Sequence, residues 1–336
     1  MTAAALIAAF DKEFGGNSEL EAITYLDTGF APLNYAISGK YDGGLAYGRM
    51  YEIFGESGTG KTALATELMT AAQRLGGAAG FVDWERTFNE DLAQHGYGLK
   101  TDKPLWFYKR PGTWEEGNTL GAKYCQWIRA NKVIPETAPI VLTFDSIASA
   151  IPASMAEKDF SEYSMNDTTA LARVTSTTLK SMAMFAERFN AIFVYLNQMR
   201  LKPGVVYGDP RTTPGGKAME FYATARLALG KEKVMQQVAG QKEFVGQKIG
   251  IQVVKTKLTK PFKETSMRMS FDDTGMAFFD KEFSLIEELV EQKKLTEPRK
   301  GFYDWKGTQY SKRQLAEKVR AEGLGPELIA LLTSGA

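Results

Sequence analysis

A chain of 336 residues is long enough for two domains or one large domain with appendages, and 44% hydrophobic residues with 12% aromatic support a sizeable core rather than disorder. A formal net charge of +1 excludes a global basic field, so any nucleic acid must be gripped by local loops. A single cysteine and a single histidine exclude an intrachain disulfide, a multi-Cys or multi-His zinc site and, unless His95 serves alone, a Ser-His-Asp triad.

In chain order, the N-terminus has no basic leader, and nowhere are there about 18 uninterrupted apolar residues. No membrane association and a reducing cytoplasm are the expectation. Leu6, Ile7, Phe10 and Phe14 recur at helical spacing, which predicts a short amphipathic helix that either caps its own core or docks on a neighbour. Met50, Ile53 and Phe54 read as a buried strand. It breaks into Gly55-Glu56-Ser57-Gly58-Thr59-Gly60-Lys61-Thr62, a complete G-x4-G-K-[ST] phosphate loop. The glycines let successive backbone N–H groups point inward, and the following helix adds its positive N-terminal end. Lys61 would reach the β- and γ-phosphates of a nucleotide, and the Thr62 hydroxyl would be a ligand of Mg²⁺. An accidental Gly-Ser turn is the competing account. Against it, an apolar stripe (Ala63, Leu64, Leu68, Ala71, Ala72, Leu75) predicts a helix, and Ala78 to Val82 another strand, the βαβ setting that the motif needs.

That second strand closes in Asp83-Trp84-Glu85. Carboxylates at a strand's carboxyl end beside a phosphate loop lie where ligands bind in open α/β sheets, so Glu85 is a candidate general base for water, with Asp83 second. An acid that only caps the next helix is the alternative. His95 reads as a solvated residue near a helix end and Cys125 as a buried small hydrophobe. Leu105 to Tyr108 is expected to be a strand and Trp114 to Ala130 a helix. Pro139 to Ser146 is an apolar run closed by acid, the Walker B pattern, in which Asp145 would hold the Mg²⁺ water shell and Ser146 hydrogen-bond nearby. After a polar stretch from Ala156 to Asp167 come a helix to about Phe189 and a strand, Ala191 to Leu196, that ends in Asn197-Gln198. The next segment, Met199 to Lys217, holds Arg200, Lys202, Arg211 and Lys217 against Asp209 alone, so a polyanion contact is expected there. Incidental charge on a surface loop is the alternative. Strands are predicted over Ala223 to Leu229, Lys248 to Val254, Thr265 to Phe271 and Met276 to Phe279. From Glu282 the pattern turns helical, with a Trp-bearing turn at Tyr303 to Gly307, a basic helix from Ser311 to Arg320 and an apolar run from Leu328 to Leu332.

These residues together resemble the RecA-type DNA strand-exchange recombinases over nearly the whole chain. The resemblance rests on Gly55 to Thr62, Phe81 to Glu85, Phe144 to Ala148, Leu196 to Arg200 continuing through Thr212 to Ala223, Val253 to Leu258 with Pro261 to Lys263, and Tyr303 to Gly307. It implies an α/β RecA-type P-loop ATPase core with a mostly parallel central sheet over residues 31–280. An N-terminal helix and linker (1–30) would be a protomer-docking arm, and 281–336 a small α-rich C-terminal domain. It further implies ATP and Mg²⁺ as cofactors, Glu85 as the base, Asp145 as the Mg²⁺-associated acid and Gln198 as the γ-phosphate sensor. Met199, Arg200, Lys202, Val205, Val206, Arg211, Gly215, Gly216 and Lys217 would bind DNA, with the valines wedged between bases. Lys255 and Lys257 would complete the ATP site of a neighbouring protomer. Single-stranded and double-stranded DNA, a head-to-tail open filament of identical chains, and single-strand-binding or loader proteins are the implied partners.

The sequence departs from the family's pattern in places. The first DNA loop, around Ala156 to Met165, is acidic (Glu157, Asp159, Glu162 against Lys158), Leu92 stands where a ring would stack on adenine, and the long acidic tail of some relatives is missing. Such compactness points to a virus-encoded member. A RecA-fold helicase or translocase motor is the nearest alternative, but it would form closed rings and would not need the lysine pair together with this C-terminal region. A filament that uses ATP only as an assembly switch is at odds with Glu85, and a regulator that binds proteins is at odds with the basic loop.

Overall fold

Short apolar runs flanked by glycine and polar turns, too short to satisfy their own backbone groups as helices, become the strands of one sheet, where neighbouring strands pair each N–H and C=O inside the core. The computed structural model describes residues 2–14, 22–159, 161, 169–202, 204, 210–238, 241–272 and 274–333. Numbering the strands of the large sheet alone, β1 is Met50–Gly55, β2 Ala78–Asp83, β3 Trp106–Lys109, β4 Ile140–Asp145, β5 Ala191–Gln198, β6 Ala225–Val238, β7 Gln241–Thr256, β8 Glu264–Phe271 and β9 Ala277–Asp280. Among the described residues they form a nine-stranded sheet in the order β9-β8-β7-β6-β1-β5-β4-β2-β3. The six strands from β6 to β3 in that order are parallel, and β7, β8 and β9 continue antiparallel. A mostly parallel α/β sheet is therefore what the chain builds.

Both faces of the parallel half are covered. Tyr51, Ile53, Val141, Ile192 and Val194 pack with Leu64 and Leu68 of the helix Lys61–Arg74 on one side. Met50, Leu142, Phe144, Phe193 and Tyr195 pack with Trp84 and Trp114 on the other. Burying each such side chain contributes about 1.5–3 kcal/mol, which fixes the register and with it the strand ends. Because the strands are parallel, their carboxyl ends share one edge: Gly55 pairs with Gln198, and Asp83 with Asp145. A third apolar cluster, which includes Leu285, Leu289, Tyr303, Trp305, Leu315, Val319, Leu328 and Leu332, lies among the C-terminal elements.

Several expectations need correction. β6 and β7 run well past Leu229 and start well before Lys248, as a long antiparallel ribbon paired as far as Val238 and Gln241. Its described outer side chains, Lys231 to Gln236 and Gln241 to Phe244, are mostly polar and mostly exposed, so no apolar alternation announces it. Leu75 does not join the buried stripe of its helix. It forms the C-cap and is 54% exposed. The Trp-bearing turn is a hairpin in which Tyr303–Trp305 pairs with Thr308–Tyr310 around Lys306-Gly307. The N-terminal helix spans Ala3–Phe14 with Leu6, Ile7 and Phe10 exposed. His95 is exposed, Cys125 is fully buried with its thiol pKa raised by that burial, and no helix among the described residues is long and apolar enough to cross a membrane.

Candidate functional site

β1 ends at Gly55, and the chain turns through Glu56 to Gly60 into the helix Lys61–Arg74. Gly60, the N-cap, sits at φ 80°, a left-handed conformation that side chains with a Cβ adopt only under strain. The free N–H groups of the helix's first turn follow directly, which makes this end an anion site. The loop shares a cleft of about 460 Å³ with Glu85, Asp145, Gln198, Met199 and Arg200.

Lys61 folds back over the loop, its Nζ donating to the carbonyls of Gly55 (3.2 Å) and Glu56 (2.8 Å). Burial lowers its pKa, against the pull of Asp145 and Glu85. The Thr62 hydroxyl donates to Asp145 Oδ2 at 3.1 Å. Burial first, and then the neighbouring Glu85 charge, push the Asp145 carboxyl up to about 7. A bound cation would relieve that. Thr62 and Asp145 offer a hard, all-oxygen donor pair, and no cluster of three or more His, Cys, Asp or Glu suited to a metal exists among the described residues. This fits Mg²⁺, which takes few protein ligands and completes its shell with phosphate oxygens and water.

Glu85 is half-buried and fixed by three donors, all on Oε1: Ser146 Oγ (2.6 Å), Ser149 Oγ (3.2 Å) and Gln198 Nε2 (3.4 Å). Gln198 in turn accepts from Arg200 Nη2 at 2.7 Å. A continuous hydrogen-bonded chain thus runs from Glu85 through Gln198 to the first basic residue of the Met199 to Lys217 segment. Asp83, the second candidate base, is fully buried and occupied elsewhere. It accepts from the backbone N–H groups of Arg86 (2.6 Å) and Phe88 (3.2 Å) and from the Tyr108 hydroxyl (2.9 Å), so it shapes the turn after β2 and does not line the cleft.

The basic segment leaves the sheet through a narrow neck, Arg200–Leu201 pairing antiparallel with Arg211–Thr212. Arg200, Lys202 and Lys217 are exposed, whereas Arg211 donates to Gln252 Oε1 at 2.6 Å. At the far root, Gly215 has φ 86°, and a Cβ there would stand 2.8 Å from Ile147 Cγ2; Gly216 follows at φ 74°. Val205 and Val206 lie outside the described residues. So does Glu162 of the acidic stretch, of which Glu157 and Asp159 are exposed.

The structure brings the phosphate loop, Glu85, Asp145, Gln198 and Arg200 together, and it does not bring Lys255 and Lys257 to them. Both lysines cluster over the end of the short helix Ala218–Tyr222. Lys255 Nζ donates to the carbonyls of Glu220 and Phe221, and Lys257 Nζ to that of Phe221 at 3.1 Å; the Phe221 ring is 68% exposed. Burial, with Lys257 and Arg226 adding repulsion, pushes Lys255 down to about 8. Leu92 is 41% exposed. Sequence reasoning missed Ser149, whose single hydroxyl three residues after Ser146 gave no signal.

A family model for the RecA N-terminal domain matches residues 4–276. Protein RecA of Citrifermentans bemidjiense is 32% identical over 294 residues, 85% of this chain and 80% of that protein. Protein RecA of Thermus thermophilus is 32% identical over 272 residues, 79% of this chain and 74% of its own length. Protein RecA of Geobacter sulfurreducens is 32% identical over 259 residues, 77% and 70% respectively.

Proposed function

The chain belongs to the RecA family, and from that premise we infer how its residues perform the work of an ATP-dependent DNA recombinase that forms a filament on single-stranded DNA and exchanges strands with a homologous duplex. The observation that carries the reading is the unbroken Glu85–Gln198–Arg200 hydrogen-bonded chain, which joins a hydrolytic cleft to a basic loop.

In this reading the loop from Gly55 to Thr62 holds the ATP phosphates through backbone N–H groups, Lys61 swings from the loop carbonyls onto the β- and γ-phosphates, and Thr62 with Asp145 would hold Mg²⁺, which would supply neutralisation of phosphate charge. Glu85 takes a proton from the attacking water as its oxygen bonds to the γ-phosphorus, which releases ADP and phosphate. Ser146 and Ser149 keep Oε1 occupied, so Oε2 is the oxygen left for that water. Gln198, between Glu85 and Arg200, reports the state of the cleft to the DNA loop, an order–disorder switch of a known kind. Arg200, Lys202, Arg211 and Lys217 neutralise phosphates, Gly215 and Gly216 let the root turn, and Met199, Val205 and Val206 meet bases.

Lys255 and Lys257, remote from their own cleft beside an exposed phenylalanine, are read as completing a neighbour's site. Residues 1–30 are read as a docking arm, 31–280 as the motor and 281–336 as a small domain around the third apolar cluster. The cytoplasm is the proposed location. Negative-stain images with single-stranded DNA and a slowly hydrolysed ATP analogue test the assembly. Helical filaments and strand exchange are expected, and closed rings without exchange would identify a translocase motor instead.

A further inference from the structure

Inside the sheet lies an ion pair that the chemistry above does not use. Glu52, on β1, is fully buried, and Arg226 stands beside it in parallel register on β6, its Nε donating to Glu52 Oε2 at 2.5 Å. Removing two charges from water carries a large desolvation penalty, and apolar residues of similar volume commonly pack as stably. Stability alone therefore does not account for the pair, but its remaining contacts do.

On one side, Glu52 Oε1 accepts from Asn197 Nδ2 at 2.9 Å. The same amide donates to the Pro214 carbonyl at 3.0 Å, while Asn197 Oδ1 accepts from the Gln198 backbone N–H at 3.0 Å. On the other side, Arg226 Nη2 donates to Thr213 Oγ1 at 3.2 Å, and Nη1 lies 3.8 Å from Glu220 Oε1. Lys255 stands opposite Arg226 on β7, held by the carbonyls of Glu220 and Phe221. The pair thus touches the strand end that bears Gln198, the returning root of the basic loop, and the short helix Ala218–Tyr222 whose carbonyls hold the lysines.

We propose that Glu52 and Arg226 are positioning residues that tie the root of the DNA loop at Thr213–Pro214 to the Lys255/Lys257 face, so that DNA held by one protomer sets the lysines offered to its neighbour. This rests on the reading of those lysines as parts of a neighbour's ATP site. Charge-assisted bonds in a low-dielectric interior are costly to leave unpaired, and the close-packed sheet around them absorbs little displacement. A shift of the loop root is therefore passed on along Arg226 instead of being lost. The rival assignment is local: Glu52 lies three residues before Gly55, so the pair could support its own phosphate loop.

Complementation separates the two. Glu52→Gln keeps the shape and the acceptor for Asn197 but removes the charge. Alone on single-stranded DNA it is expected to lose roughly tenfold in DNA-stimulated ATP hydrolysis, within the usual span of coupling between sites, while still binding a fluorescent ATP analogue. Mixed equally with Lys61→Ala, it supplies intact phosphate loops to intact lysine faces at about one interface in four, so about a quarter of the wild-type rate returns. Mixed with Lys255→Ala/Lys257→Ala, both partners are defective on the same face, and no rate returns.

Recovery with the lysine variant, no recovery with Lys61→Ala, or undiminished DNA stimulation in Glu52→Gln alone each overturns the proposal. The mixture of Lys61→Ala with Lys255→Ala/Lys257→Ala is the control. If that pair co-assembles but stays inactive, the lysines do not act in trans and the premise itself falls, whatever Glu52 does. Should Glu52→Gln fail to fold, Thr213→Val, which removes only the hydroxyl that Arg226 reaches, carries the same mixtures with the same pattern expected.

Discussion

Glu85→Gln is the sharpest test of the hydrolytic reading. The substituted amide keeps an oxygen where Ser146, Ser149 and Gln198 donate, so the local fold survives. What is lost is the proton acceptor. A positioned general base contributes on the order of 10²–10⁴ in rate, about 3–5 kcal/mol of barrier. DNA-stimulated phosphate release should fall by that factor while nucleotide binding stays. A second consequence comes from Asp145, whose carboxyl stands at about 7 against an ordinary 3.8, through burial and then Glu85. The unfolded chain gives up this proton near pH 4, and the folded chain holds it to about 7. Between those values the folded state binds more protons, so nucleotide-free protein loses stability as pH rises across the window. Removing the Glu85 charge removes the second cause and narrows the window. In chelator at pH 8, Glu85→Gln should therefore be more stable than wild type, by about 1.4 kcal/mol for each pH unit of narrowing. Normal phosphate release by Glu85→Gln on DNA would show that Glu85 is not the base.

Asp83→Asn should behave oppositely: one carboxylate oxygen becomes a donor facing donors, stability drops by about 1–3 kcal/mol, and hydrolysis per folded molecule stays within a few-fold; a rate loss as deep as that of Glu85→Gln would transfer the base to Asp83. Removing Arg200, Lys202, Arg211 or Lys217 singly should weaken single-strand binding and flatten its salt slope by about 0.7 each. Arg200→Ala should in addition lose hydrolysis at saturating DNA, since Gln198 loses its partner, and unchanged slopes in all four variants would put the DNA elsewhere. Lys255, held at about 8 against an ordinary 10.5 by burial and by Lys257 and Arg226, is charged in the unfolded chain after the folded chain has lost that proton. Stability should rise with pH from about 8 to 10.5, and Lys255→Met should abolish the rise in denaturant melts.

What the sequence made legible follows from what is local. The phosphate loop, its helix and the acids that close β2 and β4 are contiguous patterns whose backbone geometry is set by their own residues. Parallel pairing then brings the strand ends to one edge without further information. Less was legible where the partner lies far along the chain. Asp83 and Glu85 are equivalent as letters, and only the turn through Arg86 and Phe88, which folds back onto Asp83, leaves Glu85 facing the cleft. Glu52 and Arg226 each interrupt an apolar strand, a visible anomaly, but their pairing needs β1 and β6 to be neighbours, 174 residues apart. The polar ribbon beyond Leu229 carries no apolar period at all, so its pairing could not be read from burial.

The C-terminal helix shows why charge counted along a sequence can mislead about where DNA binds. From Ser311 to Arg320 it reads as basic, a second place for phosphates. In the folded chain each of its cations meets a carboxylate: Lys312 lies 4.0 Å from Glu287, Arg313 pairs with Glu317 at 3.2 Å, Lys318 with Glu322 at 2.5 Å, and Arg320 with Asp280 and Glu282 at 2.6 and 3.1 Å. Exposed pairs of this kind add little stability, but they cancel the field that would attract a polyanion and leave few counterions to release. The Met199 to Lys217 segment is different. Four basic residues stand there against Asp209 alone, and Arg200, Lys202 and Lys217 point to solvent. In a chain of net charge +1, that local excess rather than the basic helix is what a DNA backbone would find first.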